Sequence, residues 1–408
     1  MSSTRRASAD ADPDDSPERH LSNPRLRGIG VGLNIALRVA RVLPAAERDA
    51  MIWLSNFARL RDLTADALGG ELAMETRSIR EALTNPECDR AAFVGAVGAL
   101  RARFEASLDE YRPPDETSAF DLVPAFDAAA RRIADTSVAR KIGNAVAFIS
   151  KRPQIVEIIG QTRIGKSISA RHVFLRNLHR AAWLHCPKPG VERDWLNGLA
   201  GSLGVSFGTN YKNAEMTPKI MASLGRARIN LLFVDEGHRL WPDDAHAEPK
   251  RIEYLRDAWE QHGVSVIILA TPQYSAALAE AMTDNPRWAP GQWIGRVQQF
   301  DLPVTMAEAD LEAVARHYAP EAGADVIAQL VSEARASEGL CGMIAKIVER
   351  ARFRVAGGPL TLAAVQESAR LLDRETRLRS LPKIVPIRRA PTSRRPSVAR
   401  LIGSDATA

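Results

Sequence analysis

One short stretch constrains the fold more than any other: the apolar run IVEII, followed directly by GQTRIGKS, Gly160 to Ser167. The run has the length and β-branched composition of a buried strand, and the residues after Ser167 return to helical spacing. The eight residues fit the pattern G-x-x-x-x-G-K-[ST], which is informative when it stands between a strand and a helix. The stretch therefore predicts an α/β core with a phosphate-binding loop.

Each fixed residue of this loop has a chemical reason. Gly160 and Gly165 permit the backbone turns that aim N–H groups at phosphate oxygens, and the helix that follows adds its positive end. Lys166 supplies a charge for the β- and γ-phosphates, and Ser167 supplies a hydroxyl for Mg²⁺. The variable residues, also assigned to nucleotide binding, are Gln161, Thr162, Arg163 and Ile164. The cofactors predicted here are ATP and Mg²⁺.

A second apolar run, NLLFVDEGHRL, ends in two acids. Asp235 is placed to orient the Mg²⁺ water shell, and Glu236 is placed to polarise the water that attacks the γ-phosphate. The pair indicates a hydrolase more than a passive nucleotide binder. His238 follows closely and is interpreted as a surface or packing histidine, with a DNA or sensor role as the alternative.

A third apolar run, VSVIILATPQ, ends in Thr271 and Gln273. Because the carboxyl ends of parallel strands share one edge, Thr271 is predicted to reach the γ-phosphate beside Asp235. A turn residue before Pro272 is the alternative interpretation.

Two arginines, Arg287 and Arg296, lie just before the last β-rich run. An arginine at this position would project across a subunit interface onto the γ-phosphate of a neighbouring copy. Arg296 is the preferred candidate, and a solvated surface arginine is the alternative for both residues.

The five β-rich runs are IVEII, AAWLHC, INLLFVD, VSVIILA and VQQFDL, with helical patterns between most of them. This alternation predicts an α/β fold whose sheet is largely parallel and covered on both faces. The predicted organisation is a disordered tail over 1–27, a helical domain over 28–130, an α/β ATPase core over 131–304, a helical lid over 305–373 and a basic disordered tail over 374–408.

Composition narrows the class of protein. The 408 residues carry a net charge of +6 and contain no run approaching 18 apolar residues, so no membrane span is expected. Cys88, Cys186 and Cys341 lack metal-type spacing, which favours a reduced, cytoplasmic protein. The Arg- and Pro-rich end of the chain is either a solubilising tail or a contact for DNA phosphates.

The stretch from Leu63 to Leu83 fits a helix-turn-helix template. Leu68 and Leu72 fall on the buried side of its first helix, Ala73 falls near the turn, and Ile79 falls on the buried side of the second. An ordinary helical hairpin is the alternative. The residues that the second helix would present are Thr76, Arg77, Ser78 and Arg80.

Together these motifs resemble the AAA+ ATPases, and within them the transposition target-selector group that includes phage Mu B, TniB and TnsC proteins. The resemblance spans roughly residues 130 to 372 and is carried by RPQIVEIIGQTRIGKS, CPKPGVERDWLNGLAGSLGV, VDEGHRL, LATPQ and EGLCGMIAKIVERA. One departure concerns the lid, where the arginine expected near the start of a helix is not evident and Met343 or Lys346 occupies the neighbourhood.

The resemblance implies a homo-oligomer, ring or filament, that assembles with ATP on duplex DNA and recruits or activates a transposase. Hydrolysis would then dissolve the assembly, and the helix-turn-helix would have a counterpart in Mu B. Two alternatives stay open: another DNA-associated AAA+ ATPase, such as a helicase loader, replication initiator or phage-defence ATPase, and an ATP-switched helix-turn-helix regulator.

Overall fold

The computed structural model describes residues 39 to 380, apart from 40, 41, 61, 62, 64, 109–132, 189, 191, 204, 206, 209, 227, 228, 245, 285–287, 338–340 and 357. The tail expected over 1–27, most of the one expected over 374–408, and Arg287 lie outside the described residues.

The described part of the chain begins with four helices: α1 (Ala45–Leu60), α2 (Ala65–Leu72), α3 (Thr76–Thr84) and α4 (Ala91–Ser107). Helices α1 and α4 pack through an aromatic group in which Trp53 stacks on Phe57 with ring centroids 4.9 Å apart, and Phe104 meets Phe57 edge-on at 5.3 Å. Burial of such large rings supplies most of the favourable free energy available to a small helical unit.

Helices α2 and α3 are joined by a turn of three residues. Ala73 in this turn has a left-handed backbone with φ 50°, and the Met74 N–H donates to the Gly69 carbonyl at 3.0 Å. Leu68, Leu72 and Ile79 are buried, whereas Arg77 and Arg80 are exposed on α3. Two short helices joined by a tight turn fit both the helix-turn-helix and the helical-hairpin interpretation, so the helix-turn-helix and its DNA-binding role stay predictions.

The sheet has five parallel strands: β1 (Ile155–Ile159), β2 (Ala181–His185), β3 (Leu231–Asp235), β4 (Ser265–Ala270) and β5 (Val297–Asp301). Their order is β2-β3-β4-β1-β5. All five predicted strands and the parallel sheet are confirmed. This order places β4 between β1 and β3, so the ends of the three central strands meet at one edge.

Helices cover both faces of the sheet. Strand β3 illustrates the two layers: Phe233 belongs to one apolar cluster with Phe174, and Leu232 belongs to the other with Trp195. The helices of this region are α5 (Ser137–Ile149), α6 (Lys166–Leu175), α7 (Glu192–Ser202), α8 (Asn213–Arg226), α9 (Lys250–His262), α10 (Pro272–Asp284) and α11 (Pro290–Ile294). The α/β architecture, with a parallel sheet covered on both faces, is therefore confirmed.

Four further helices follow the sheet: α12 (Glu308–Tyr318), α13 (Ala324–Ala336), α14 (Cys341–Arg354) and α15 (Leu362–Ser380). We call this group the lid. Asp310 on α12 accepts hydrogen bonds from the Ser137 backbone N–H at 2.8 Å and from the Ser137 hydroxyl, which ties the lid to the start of α5.

The last helix continues past the expected boundary of the basic tail at residue 374. Helix α15 ends at Ser380, because RETRLRS consists mostly of good helix formers and Pro382 follows shortly after it. Across the described ranges, no helix is both long and apolar enough to cross a bilayer.

Candidate nucleotide-binding site

The loop GQTRIGKS joins β1 to α6, and its shape explains its glycines. A Cβ at Gly160 would lie only 2.8 Å from Ile164 Cδ1 and 2.8 Å from Leu302 Cβ, so no larger residue fits there. Gly165 has φ 87°, which glycine adopts readily. The loop is therefore packed tightly against Leu302, the residue that follows β5.

An open cavity of about 600 Å³ lies over this loop at the edge where the central strands end. The predicted site residues that line it are Gln161, Thr162, Arg163, Gly165, Lys166, Ser167, Asp235, Glu236 and Thr271. Gly160, Ile164 and Arg296 do not line it. Ile164 is 1% exposed and packs into the core, so its side chain is not available to a ligand in the cavity.

Lys166 begins α6 and turns back over the loop. Its Nζ donates to the Gly160 carbonyl at 2.6 Å and to the Gln161 carbonyl at 2.5 Å. Burial lowers the pKa of Lys166, and the nearby carboxylates of Asp235 and Glu236 oppose that shift. The ammonium is thus partly desolvated and held by carbonyls that phosphate oxygens, as stronger acceptors, can replace.

Ser167 and Asp235 meet at the bottom of the cavity. The Ser167 hydroxyl donates to Asp235 Oδ1 at 3.0 Å, and the same oxygen accepts the Glu236 backbone N–H at 3.0 Å. A hydroxyl and one carboxylate fit Mg²⁺, which keeps several waters and takes oxygen ligands from one or two acids and from substrate phosphates. These two residues would hold the metal.

Glu236 stands beside Asp235 in a left-handed backbone with φ 59°. Its carboxylate Oε2 lies 3.4 Å from Nδ1 of His238, and both residues line the cavity. Burial lowers the pKa of His238, so at neutral pH the imidazole carries little charge. The sequence interpretation underrated His238: only its position two residues after the second acid pointed to the site.

Thr271 lies directly after β4 and lines the cavity together with Gln273. Its hydroxyl is 3.5 Å from the Gln273 side-chain oxygen. Because β4 pairs with both β1 and β3, Thr271 is brought to the same edge as the loop and Asp235.

A model of the protein family described as "AAA domain" matches residues 149–278, which contain the loop, both acids and Thr271. Residues 149–278 are therefore similar to an AAA domain, and we use that name for them. No curated protein matches the chain.

Solved structures match parts of the chain at low identity. They include the RuvB Holliday junction branch migration motor of Thermotoga maritima, at 16% identity and a TM-score of 0.36 over 58% of this chain and 68% of that chain. They also include Cdc6p of Pyrobaculum aerophilum, at 14% identity and a TM-score of 0.45 over 63% of this chain and 74% of that chain.

Arg296 lies between α11 and β5, away from the cavity of its own AAA domain. Its Nε is 2.7 Å from Glu260 Oε1 on α9, and the side chain is about one-third exposed. The structure therefore does not bring Arg296 to the loop of the same chain. Action on a neighbouring copy remains a prediction.

The lid touches the AAA domain at the loop itself. The Gly342 N–H donates to the Arg163 carbonyl at 3.2 Å, and Cys341 Sγ lies 3.1 Å from the same oxygen. Met343 and Lys346 do not line the cavity, and Lys346 is exposed. Sequence reasoning looked for a charged lid residue and missed this backbone contact.

Proposed function

We propose that the AAA domain binds ATP with Mg²⁺ and hydrolyses it. One observation carries this: Lys166, Ser167, Asp235, Glu236 and Thr271, drawn from three strand ends, line a single open cavity. Together these residues provide a cation that binds phosphate, a hydroxyl and a carboxylate that bind the metal, and a base for the attacking water.

The residues divide the work. Lys166 would bind the β- and γ-phosphates, and Ser167 with Asp235 would hold Mg²⁺, which neutralises charge on the phosphates when bound. Glu236 would accept a proton from the attacking water, and Thr271 would orient the γ-phosphate. Catalysis of this kind depends mostly on positioning and electrostatics, because phosphoryl transfer requires little covalent chemistry from the protein.

We further propose that the protein acts as a homo-oligomer in which Arg296 reaches the γ-phosphate of a neighbouring copy. The support is that Arg296 is partly exposed and does not line its own cavity; its side chain contacts Glu260 and the Gln292 carbonyl instead. A site completed by a neighbour makes nucleotide state and assembly depend on each other.

The proposed setting is duplex DNA in a transposition system, in a cytoplasmic protein. The sequence motifs of the target-selector group support it, together with exposed Arg77 and Arg80 on α3 of the helix–turn–helix. Contacts to phosphates would make binding weak in sequence preference and strongly dependent on salt. A transposase would be the partner that the ATP-bound assembly recruits or activates.

The test is ATP turnover with and without duplex DNA, run alongside an Arg77→Ala, Arg80→Ala double variant. We expect DNA to stimulate the wild type and to stimulate the double variant less, with its DNA-free turnover unchanged. If DNA leaves the ATP turnover rate unchanged but DNA binding depends on ATP, the ATP-switched regulator would be favoured instead. A transposition assay with a candidate transposase then separates the proposed role from those of a loader, initiator or defence ATPase.

A further inference from the structure

Arg163 is an unusual residue for the backbone it occupies. It has φ 64°, one of four non-glycine residues with positive φ in the described part of the chain. Side chains other than glycine, asparagine and aspartate rarely adopt this conformation, and it persists where surrounding contacts enforce it. Such an outlier inside a ligand cavity is a reason to ask what the side chain does.

The contacts that enforce the conformation come from the lid. Gly342 N and Cys341 Sγ both lie against the Arg163 carbonyl, at 3.2 and 3.1 Å. These are the first two residues of helix α14, so the start of the helix contacts Arg163 directly. A displacement of Arg163 would therefore be passed to the lid through its own backbone.

Position 342 is tight for any residue larger than glycine. A Cβ there would lie 3.3 Å from Arg163 Cβ and 3.7 Å from its Cγ, which is closer than ordinary van der Waals contact for the first of these. The missing side chain lets the Arg163 side chain leave the loop alongside the helix start. The arginine in the loop and the glycine in the lid thus fit one another.

Within the described part of the chain, the Arg163 guanidinium has no acidic partner. The residue is exposed, lines the cavity and forms no ion pair with any residue that the structure describes. Lys166, the other strong cation of the cavity, is already held by two carbonyls. A planar cation without a partner, beside a phosphate-binding loop, matches the geometry that guanidinium groups use to bind phosphate.

We propose that the Arg163 side chain binds the phosphate chain of the nucleotide, while the Arg163 carbonyl holds the start of helix α14 in the lid. One residue then couples nucleotide occupancy to lid position, in place of a charged residue on the lid. The proposal rests on the proposed nucleotide site and adds to it a sensing residue. The ligand class is a nucleoside triphosphate, and the responding element is helix α14.

The first measurement is nucleotide affinity of the full-length protein, at concentrations too low for assembly. Arg163→Gly removes the side chain and suits the left-handed backbone, so misfolding does not explain its effect. We expect it to weaken binding of a fluorescent ATP analogue about tenfold, as for loss of one charge-assisted hydrogen bond, with Arg163→Lys in between. Arg316→Ala, in an exposed lid ion pair with Glu312, is the matched control and should bind normally.

The second measurement reports the lid through alkylation of Cys341, followed by peptide mass spectrometry with Cys88 as internal reference. Burial raises the pKa of Cys341 to about 11, so alkylation is slow and responds to changes in exposure. Saturating ATP analogue should change the rate at Cys341 in the wild type. That response should be lost in Arg163→Gly at saturation, and also in Gly342→Ala.

The outcomes separate the proposals. Wild-type protein that binds no nucleotide would contradict the nucleotide site itself. Normal affinity and a normal Cys341 response in Arg163→Gly would overturn the role of Arg163 while leaving the site intact. A defect that appears only at concentrations where the protein assembles would mean that Arg163 acts on a neighbouring copy, and would overturn the coupling within one chain.

Discussion

The Ser167 hydroxyl donates a 3.0 Å hydrogen bond to Asp235 Oδ1, although the two residues are 68 positions apart in the sequence. Ser167 lies in the first turn of helix α6, and Asp235 ends strand β3. The contact places the hydroxyl and the carboxylate where one hexacoordinate ion can take both as ligands or orient its waters on them.

Ser167→Ala should therefore raise the Mg²⁺ concentration needed for half-maximal ATP turnover, by about tenfold, because one oxygen ligand is lost. Magnesium titration of turnover at saturating ATP measures this. Ser169→Ala, on the same helix, is the control. An unchanged magnesium requirement in Ser167→Ala would exclude the hydroxyl from the metal site.

His238 should position Glu236. Its Nδ1 lies 3.4 Å from Glu236 Oε2, so His238→Ala leaves that carboxylate less restrained and should lower kcat about tenfold with KM for ATP nearly unchanged. His238→Asn, whose amide nitrogen stands close to the place of Nδ1, should recover part of the loss. Equal defects in both variants, or a rise in KM alone, would count against this role.

Arg296 should act between copies. Arg296→Ala is expected to lower the ATP turnover of the assembled protein, per subunit, by about a hundredfold or more. The affinity of dilute protein for ATP should stay normal. Mixing Arg296→Ala with Glu236→Gln subunits tests action in trans. Where the site of an Arg296→Ala subunit faces a Glu236→Gln neighbour, the site keeps its own Glu236 and receives the intact Arg296 of the neighbour. Recovery of turnover on mixing is the predicted result, and no recovery would argue against action in trans.

A buried acid in the sheet should make stability depend on pH. Glu157 on β1 is 2% exposed and accepts hydrogen bonds from the Tyr274 hydroxyl and, at 3.0 Å, from Trp293 Nε1. Burial raises the pKa of Glu157 above its usual 4.5, and the two hydrogen bonds only partly offset this. The native state therefore holds this proton more tightly than the unfolded chain does.

It follows that the free energy of unfolding falls as pH rises from about 4.5 through the raised pKa. Glu157→Gln keeps an acceptor oxygen and cannot ionise, so its stability relative to the wild type should increase with pH across this window. Urea unfolding at a series of pH values measures the difference. A constant difference across the window would mean that Glu157 does not change its charge there on unfolding.

Much of the fold could be predicted from the sequence because the strands are short, β-branched and bounded by clear turns. Each of the five predicted runs overlaps a strand, and parallel ends bring Thr271, Asp235 and the loop to one edge, as expected. The end of the last helix was harder to predict, because RETRLRS is both basic and helix-forming. The basic tail was predicted from residue 374, whereas α15 continues to Ser380.

Contacts between distant segments could not be read from local pattern. The approach of Gly342 to Arg163 depends on how the lid docks, and nothing in the spacing of either motif encodes that distance. Next to His238, Gly237 lets the chain pass close to β4: a Cβ there would lie 2.4 Å from Ile268 Cγ2. The pairing of Arg296 with Glu260 is likewise a product of how α9 packs near β5.

The most direct test of the account is to measure ATP binding and steady-state ATP turnover for the wild type, Lys166→Ala and Glu236→Gln. The account predicts that Lys166→Ala no longer binds ATP, because the ammonium group that contacts the phosphates is removed. Glu236→Gln should bind ATP as the wild type does and turn over about a hundredfold or more slowly, because the base is gone. Unchanged ATP affinity in Lys166→Ala, together with wild-type turnover in Glu236→Gln, would contradict the proposed site.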